Sequence, residues 1–216
     1  MSAVLFDMDG VLVNSEDYWV EFQEETILPW VVPDADVDVA EVSGMNYREI
    51  YDYLDSEYET AVSREEYIDR FTAAAEELYT ERVDLLDGLY DLLAELEAAG
   101  VSTAVVSSSP HEWIGWVLER FDLEGAFEHV ISADDIDASS KPAPDVFEYA
   151  ADEMSVPPAD CVVVEDSANG IEAADRAGAT VVAYRIDAHG DIDRSPADVV
   201  VDSPAELRGT VLERAT

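Results

Sequence analysis

The second half of the chain constrains the fold most: after Gly100 it alternates short apolar runs with amphipathic stretches in a regular order. The runs predict strands at 103–106, 129–132, 161–164, 180–183 and 199–201, and helical spacing fits between them at 113–121, 144–153, 170–177 and 205–214. Strands spaced by single helices connect through right-handed crossovers, so the sequence predicts an α/β fold with a doubly wound parallel sheet. The run Ala3-Val4-Leu5-Phe6, ending in an acidic turn, reads as one more buried strand of that sheet.

Residues 14–85 break this rhythm. They carry amphipathic helix patterns at 47–54 and 64–79, the latter with Phe71, Ala74, Ala75 and Leu78 on one face. A further helix at 89–99 follows Asp87-Gly88 and is closed by Gly100. The expected organisation is a core domain of residues 1–13 and 86–216, with residues 14–85 inserted as a helical cap domain. The polar stretch 187–196 reads as loop.

Charge narrows the partners. With 51 acidic residues against 11 basic ones, the net charge is −40. Such a surface repels nucleic acid and anionic lipid, so neither is an expected partner. High net charge also accompanies disorder, but the regular apolar segments argue instead for a folded, halophilic protein whose carboxylates are screened by salt. No apolar run approaches the roughly 20 residues needed to cross a bilayer. The amino terminus lacks the basic region of a signal peptide, and the only cysteine, Cys161, lies in an apolar run as a buried thiol. The expected location is the cytoplasm; the sequence leaves the oligomeric state open, a monomer being slightly favoured. Lys141 is the only lysine, and a residue type so nearly purged marks its survivor as a functional candidate.

In open α/β sheets ligands bind beyond the carboxyl ends of the strands. The first strand ends in Asp7-Met8-Asp9-Gly10 and the second in Ser107-Ser108-Ser109-Pro110; Lys141-Pro142 follows the third, and Glu165-Asp166-Ser167 ends the fourth. Clustered carboxylates need a cation between them, and an all-oxygen ligand set suits magnesium, which also bridges to phosphate. A carboxylate such as Asp7 can attack phosphorus to give an aspartyl-phosphate. Asp9 can protonate the leaving oxygen and then activate water. Lys141 and Ser107 suit the non-bridging phosphate oxygens. Ser109-Pro110-His111-Glu112 has the form of a capping box opening the next helix, which would aim its free N–H groups at the same place.

Asp7-Met8-Asp9-Gly10-Val11-Leu12 resembles the first motif of the haloacid dehalogenase superfamily. Val106-Ser107-Ser108-Ser109, Lys141-Pro142 and Val164-Glu165-Asp166-Ser167 resemble its second, third and fourth motifs, in that order, and the match spans the chain. The helical insert between the first two motifs resembles the β-phosphoglucomutase and phosphoglycolate phosphatase branch. The resemblance implies a Rossmann-like core, Asp7 as nucleophile and Asp9 as acid/base. It further implies magnesium (Mg2+) held by Asp7, the Asp9 backbone carbonyl and Asp166, with Glu165 assisting, and phosphate bound by Ser107, Ser108 and Lys141.

Asp9 favours phosphoryl chemistry over dehalogenation, and the absence of lysine from residues 14–85 excludes the Schiff-base chemistry of phosphonate-cleaving relatives. Trp19 stands where the sugar-phosphate mutases carry a hinge histidine, which favours hydrolysis of a small phosphorylated metabolite over isomerisation. A phosphosugar mutase and a non-catalytic metabolite-binding protein remain the alternatives. In the segment Ser43-Gly44-Met45-Asn46-Tyr47-Arg48, Arg48 either binds the substrate's non-transferred end or pairs with Asp52 four residues on. Trp113, Val117 and Phe121 read as helical core, His111 as a surface or capping residue, and His129 and His189 carry no signal.

Overall fold

A computed structural model of the chain describes residues 2–42, 45–137 and 139–216. Strands β1 (Ala3–Phe6), β2 (Ser102–Ser107), β3 (His129–Ser132), β4 (Cys161–Glu165), β5 (Thr180–Tyr184) and β6 (Val199–Val201) form one sheet. Their order is β3-β2-β1-β4-β5-β6 and every pairing is parallel. This is the doubly wound sheet that the alternation of elements predicts. In the central strand, Leu5 lies between Ala104 of β2 and Val163 of β4.

The helices between β1 and β2 are α1 (Glu16–Phe22), α2 (Leu28–Val31), α3 (Tyr47–Glu57), α4 (Arg64–Glu77) and α5 (Leu89–Ala99). Beyond β2 come α6 (His111–Arg120), α7 (Asp145–Glu153), α8 (Ala168–Ala177) and α9 (Pro204–Ala215). Helices cover both faces of the sheet, which explains strands that are apolar without interruption. Val4 and Phe6 of β1 pack into the layer of α5, α6 and α9, whereas Ala3 and Leu5 pack into that of α7 and α8.

Capping boxes at Asn46/Glu49 and Ser63/Glu66 start α3 and α4 by satisfying their first N–H groups reciprocally. The α4 face expected from Phe71 and Ala75 is buried, extended one turn back by Tyr67. Phe71 stacks on Trp19 of α1 with ring centroids 5.3 Å apart, and Trp19 stacks in turn on Trp113 of α6 at 5.9 Å. An aromatic seam therefore joins the segment between β1 and β2 to the helices beyond the sheet. Two π-helical turns, Gln23–Ile27 and Leu78–Arg82, interrupt the regular spacing at the edges of this seam. Such turns rotate the following side chains off the 3.6-residue register.

Candidate active site

The order of the sheet reverses between β1 and β4, the switch point where α/β folds hold ligands. Asp7 follows β1, while Glu165 and Asp166 close β4, and the Asp7 N–H donates to the Val164 carbonyl at 3.0 Å. Side-chain oxygens of Asp7, Glu165 and Asp166 all lie within 4.8 Å of one another, and all three residues are buried. Burial is the main force raising the Asp7 carboxyl well above its usual pKa, opposed by Lys141 and reinforced by Glu165 and Asp9. Burial likewise raises Asp166, with Glu16, Glu165 and Asp7 adding to it.

The residues fit a divalent cation. The Asp166 Oδ2 atom is buried without a hydrogen-bond partner, a costly state for a carboxylate oxygen. It sits in a cradle that only glycine leaves open: at Gly10, whose φ is +72°, a Cβ would overlap the Asp166 carboxylate. The donor set is entirely oxygen, which suits a hard ion.

Lys141, whose side chain is 6% exposed, donates from Nζ to Asp7 Oδ1 at 2.7 Å and to Glu165 Oε1 at 2.6 Å. Burial would lower its pKa, but the Asp7 and Glu165 charges reverse that and raise it, so the ammonium keeps its charge in the interior. Its third proton makes no hydrogen bond among the described residues, and the ammonium lies 5.0 Å from the centroid of the Phe147 ring. Glu165 also accepts from the Asp166 and Ser167 N–H groups and from Ser167 Oγ, so its position is fixed from four sides.

Asp9 is held by three hydroxyls. Its Oδ1 accepts from Ser15 Oγ at 2.5 Å and from Tyr79 OH at 2.6 Å, and its Oδ2 accepts from Ser109 Oγ at 2.9 Å. The indole N–H of Trp19 donates to the Tyr79 oxygen at 3.1 Å. Burial, followed by the Glu16 charge, raises the Asp9 pKa against the pull of these hydroxyls.

Ser107 and Ser108 face the same cavity, and Ser107 Oγ accepts the Ser109 N–H at 3.1 Å, leaving its own hydrogen free. Ser109 does not cap α6 as its sequence context predicts. The residue preceding the helix is Pro110, with no side-chain cap. The Ser109 hydroxyl instead donates to the buried Asp9 carboxylate at 2.9 Å, a charge-assisted hydrogen bond.

His189 also departs from expectation. Its ring, 5% exposed, lies between Glu16 Oε2 at 3.0 Å and the Asp166 carbonyl at 3.2 Å, with Asp166 Oδ2 3.3 Å away. Burial would lower its pKa, but hydrogen bonding to Glu16 and the surrounding negative charge raise it. Both nitrogens face acceptors, an environment that suits an imidazolium. His111 is on the surface against Asp135, 2.7 Å away.

Arg48 does not make the expected pair with Asp52. It pairs with Asp134 at 2.8 Å, while Asp52 pairs with Arg64 at 2.8 Å. Ser43 and Gly44 of that segment lie outside the described residues. Nearby, Asn46 Nδ2 donates to the Ser108 carbonyl at 2.9 Å. Trp113 is core, as expected, and yet it lines the cavity with Trp19, Tyr47 and Phe71. The cavity over the carboxylates measures about 110 Å³. A larger one of about 510 Å³ behind Gly10 is lined by Glu16, Asp17, Asp84 and Asp87 and has no lysine or arginine. Chemistry rather than size marks the site.

A family model described as haloacid dehalogenase-like hydrolase matches residues 4–184. Hexitol phosphatase B of Escherichia coli (strain K12) is 30% identical over 213 residues, covering 95% of this chain and 93% of its own. Beta-phosphoglucomutase of Bacillus subtilis (strain 168) is 29% identical over 191 residues, 82% and 80% of the two chains. The crystal structure of CbbY from Rhodobacter sphaeroides in complex with phosphate is similar at a TM-score of 0.81, with 27% identity over 96% of both chains. The family match runs from within β1 to the end of β5 and so takes in every strand that carries the site; this chain is a haloacid dehalogenase-like hydrolase.

Proposed function

We propose that the protein is a magnesium-dependent phosphatase that hydrolyses a small phosphorylated metabolite, of the sugar phosphate or phosphoglycolate type, through a phosphorylated Asp7. One observation carries this reading: a lone buried ammonium bridges Asp7 and Glu165 beside an Asp166 oxygen that no hydrogen bond satisfies. Names of relatives support it, among them hexitol phosphatase B and phosphoglycolate phosphatase.

Asp7, Asp166 and the Asp9 carbonyl would hold the ion, with Glu165 assisting from behind Lys141. Bound there, magnesium supplies charge compensation to the phosphate oxygens and to the attacking carboxylate. A free Asp7 oxygen attacks phosphorus as the bond to the leaving alkoxide breaks. Asp9, whose pKa burial raises, delivers a proton to that alkoxide. Asp9 then takes a proton from water, whose oxygen attacks the phosphorus of phospho-Asp7 and releases phosphate. Ser107 and Ser108 and the third proton of Lys141 bind the non-bridging oxygens, which carry more charge in the transition state.

Residues 14–85 act in this reading as a cap over a core of residues 1–13 and 86–216, and cap closure excludes water and selects substrate. The net charge of −40 fits work in concentrated salt, in the cytoplasm. The mutase alternative is less well supported, because Trp19 replaces the hinge histidine and its N–H is committed to Tyr79. Phosphate release with magnesium in molar KCl tests the proposal, and isomerised sugar phosphate without free phosphate would favour the mutase. Asp7→Asn is expected to retain less than about 1% of activity, and a greater residue would refute the nucleophile assignment.

A further inference from the structure

Resting on the phosphatase reading above, we propose that the site selects phosphomonoesters of uncharged alcohols and rejects those whose non-transferred part carries a second anion. Lys141 is the sole lysine or arginine among the described residues lining the cavity, and two of its protons are committed to Asp7 and Glu165. What remains of its charge, with a metal ion, serves the transferred phosphate. The other ionisable group with cationic character is His189, whose two nitrogens face Glu16 and Asp166. Arg48, the basic residue of the adjoining segment, is held on Asp134 instead.

Trp19, Tyr47, Ile50, Phe71 and Trp113 give the cavity a largely aromatic lining, with Met45 and Asn46 beside them. An alcohol's C–H surface packs against such rings at little cost. Gln23 lines the same cavity from the first π-helical turn and offers a carboxamide to a hydroxyl. A carboxylate or second phosphate placed there would lose its water, find no cation that is not already committed, and lie near the Glu16 carboxylate. A substrate hydroxyl is thus accommodated where a substrate carboxylate is repelled. Phosphoglycolate, an open option for the family branch, falls on the rejected side.

Matched pairs separate charge from size: hydroxyethyl phosphate with phosphoglycolate, glycerol phosphate with phosphoglycerate, and sorbitol phosphate with phosphogluconate. With magnesium in molar KCl, kcat/KM is expected to favour the neutral member of each pair by about tenfold or more, because a second anion in the cavity meets like charge. Gln23→Lys, which brings an ammonium into the cavity, should narrow the gap by raising turnover of the anionic members. Arg48→Ala should leave the ratios as they are. Ratios near one or reversed in the pairs, unchanged ratios in Gln23→Lys, or a loss confined to anionic substrates in Arg48→Ala would each overturn the proposal while leaving the phosphatase reading intact. Absence of phosphate release from every member, and from a simple aryl phosphate, would overturn both.

Discussion

Replacing Gly170 by alanine sets two effects against each other. Gly170 lies in the first turn of α8, where alanine is favoured over glycine by about 1 kcal/mol. A methyl group at this position would, however, overlap the Glu165 carboxylate. Glu165 has no room to yield: it is fully buried and accepts from Lys141 at 2.6 Å, Ser167 Oγ at 3.0 Å and two backbone N–H groups. Hydrogen bonds to a charged group contribute about 1.5–3 kcal/mol each, so losing two outweighs the helical gain and leaves a net loss of about 2–5 kcal/mol. For a chain of this size each kcal/mol moves Tm by about 2–4 °C, so a fall of at least about 4 °C is expected. Gly115 of α6 is the internal control. It is exposed and has nothing within 4 Å of a built Cβ, so Gly115→Ala should raise Tm by roughly 2–4 °C. Because Lys141 links Glu165 to Asp7, Gly170→Ala should also cut phosphate release by about tenfold or more, while Gly115→Ala leaves it unchanged. Thermal unfolding followed by circular dichroism, beside a phosphate assay, reads both. If Gly170→Ala were as stable as Gly115→Ala, the close approach to Glu165 would not be a constraint and the reasoning would fail.

Tyr79→Phe removes one of the three hydroxyls that lower the Asp9 pKa, so the alkaline limb of the kcat/KM profile should move to higher pH; an unmoved limb would separate Tyr79 from the proton transfer. Asp7 and Asp166 have raised folded-state pKa values, so their stabilising contribution is present below the unfolded carboxylate pKa and is lost as pH rises through the folded values. Without metal, Tm should therefore fall with rising pH, and added magnesium should stabilise more at pH 8 than at pH 5, where it competes with protons; equal metal-induced shifts at the two values would contradict this. With a net charge of −40, Tm should climb as KCl goes from about 0.1 M to 1 M and the screening length shrinks from about 10 Å to 3 Å. A Tm indifferent to salt would count against the halophilic reading.

The strands and their tips were legible because an apolar run ending abruptly in Asp, Ser or Glu leaves those residues at one edge of a parallel sheet. Sequence reasoning placed Asp7, Ser107, Glu165 and Asp166 there from position alone. It misread Ser109, since a serine followed by proline and a glutamate looks the same whether the hydroxyl caps a helix or serves a carboxylate. Tyr79 ends the expected helix 64–79 and lies off its named face, whereas in the structure it belongs to the π-helical turn Leu78–Arg82 and its hydroxyl donates to Asp9. Arg48 was tested against a partner four residues away, whereas its partner, Asp134, is 86 residues distant. His189 lies in a loop without periodicity, where no spacing rule announces that its ring fills the gap between Glu16 and Asp166.

The solitary lysine has a consequence for chemical labelling. A protein of 216 residues ordinarily presents many primary amines to acylating reagents, but here the side-chain complement is one, and it is enclosed beneath the substrate cavity with its charge paired. Any label that reaches Lys141 records an excursion in which the cavity has opened far enough to release it from Asp7 and Glu165, so a routine amine modification becomes a direct readout of how often this site comes apart.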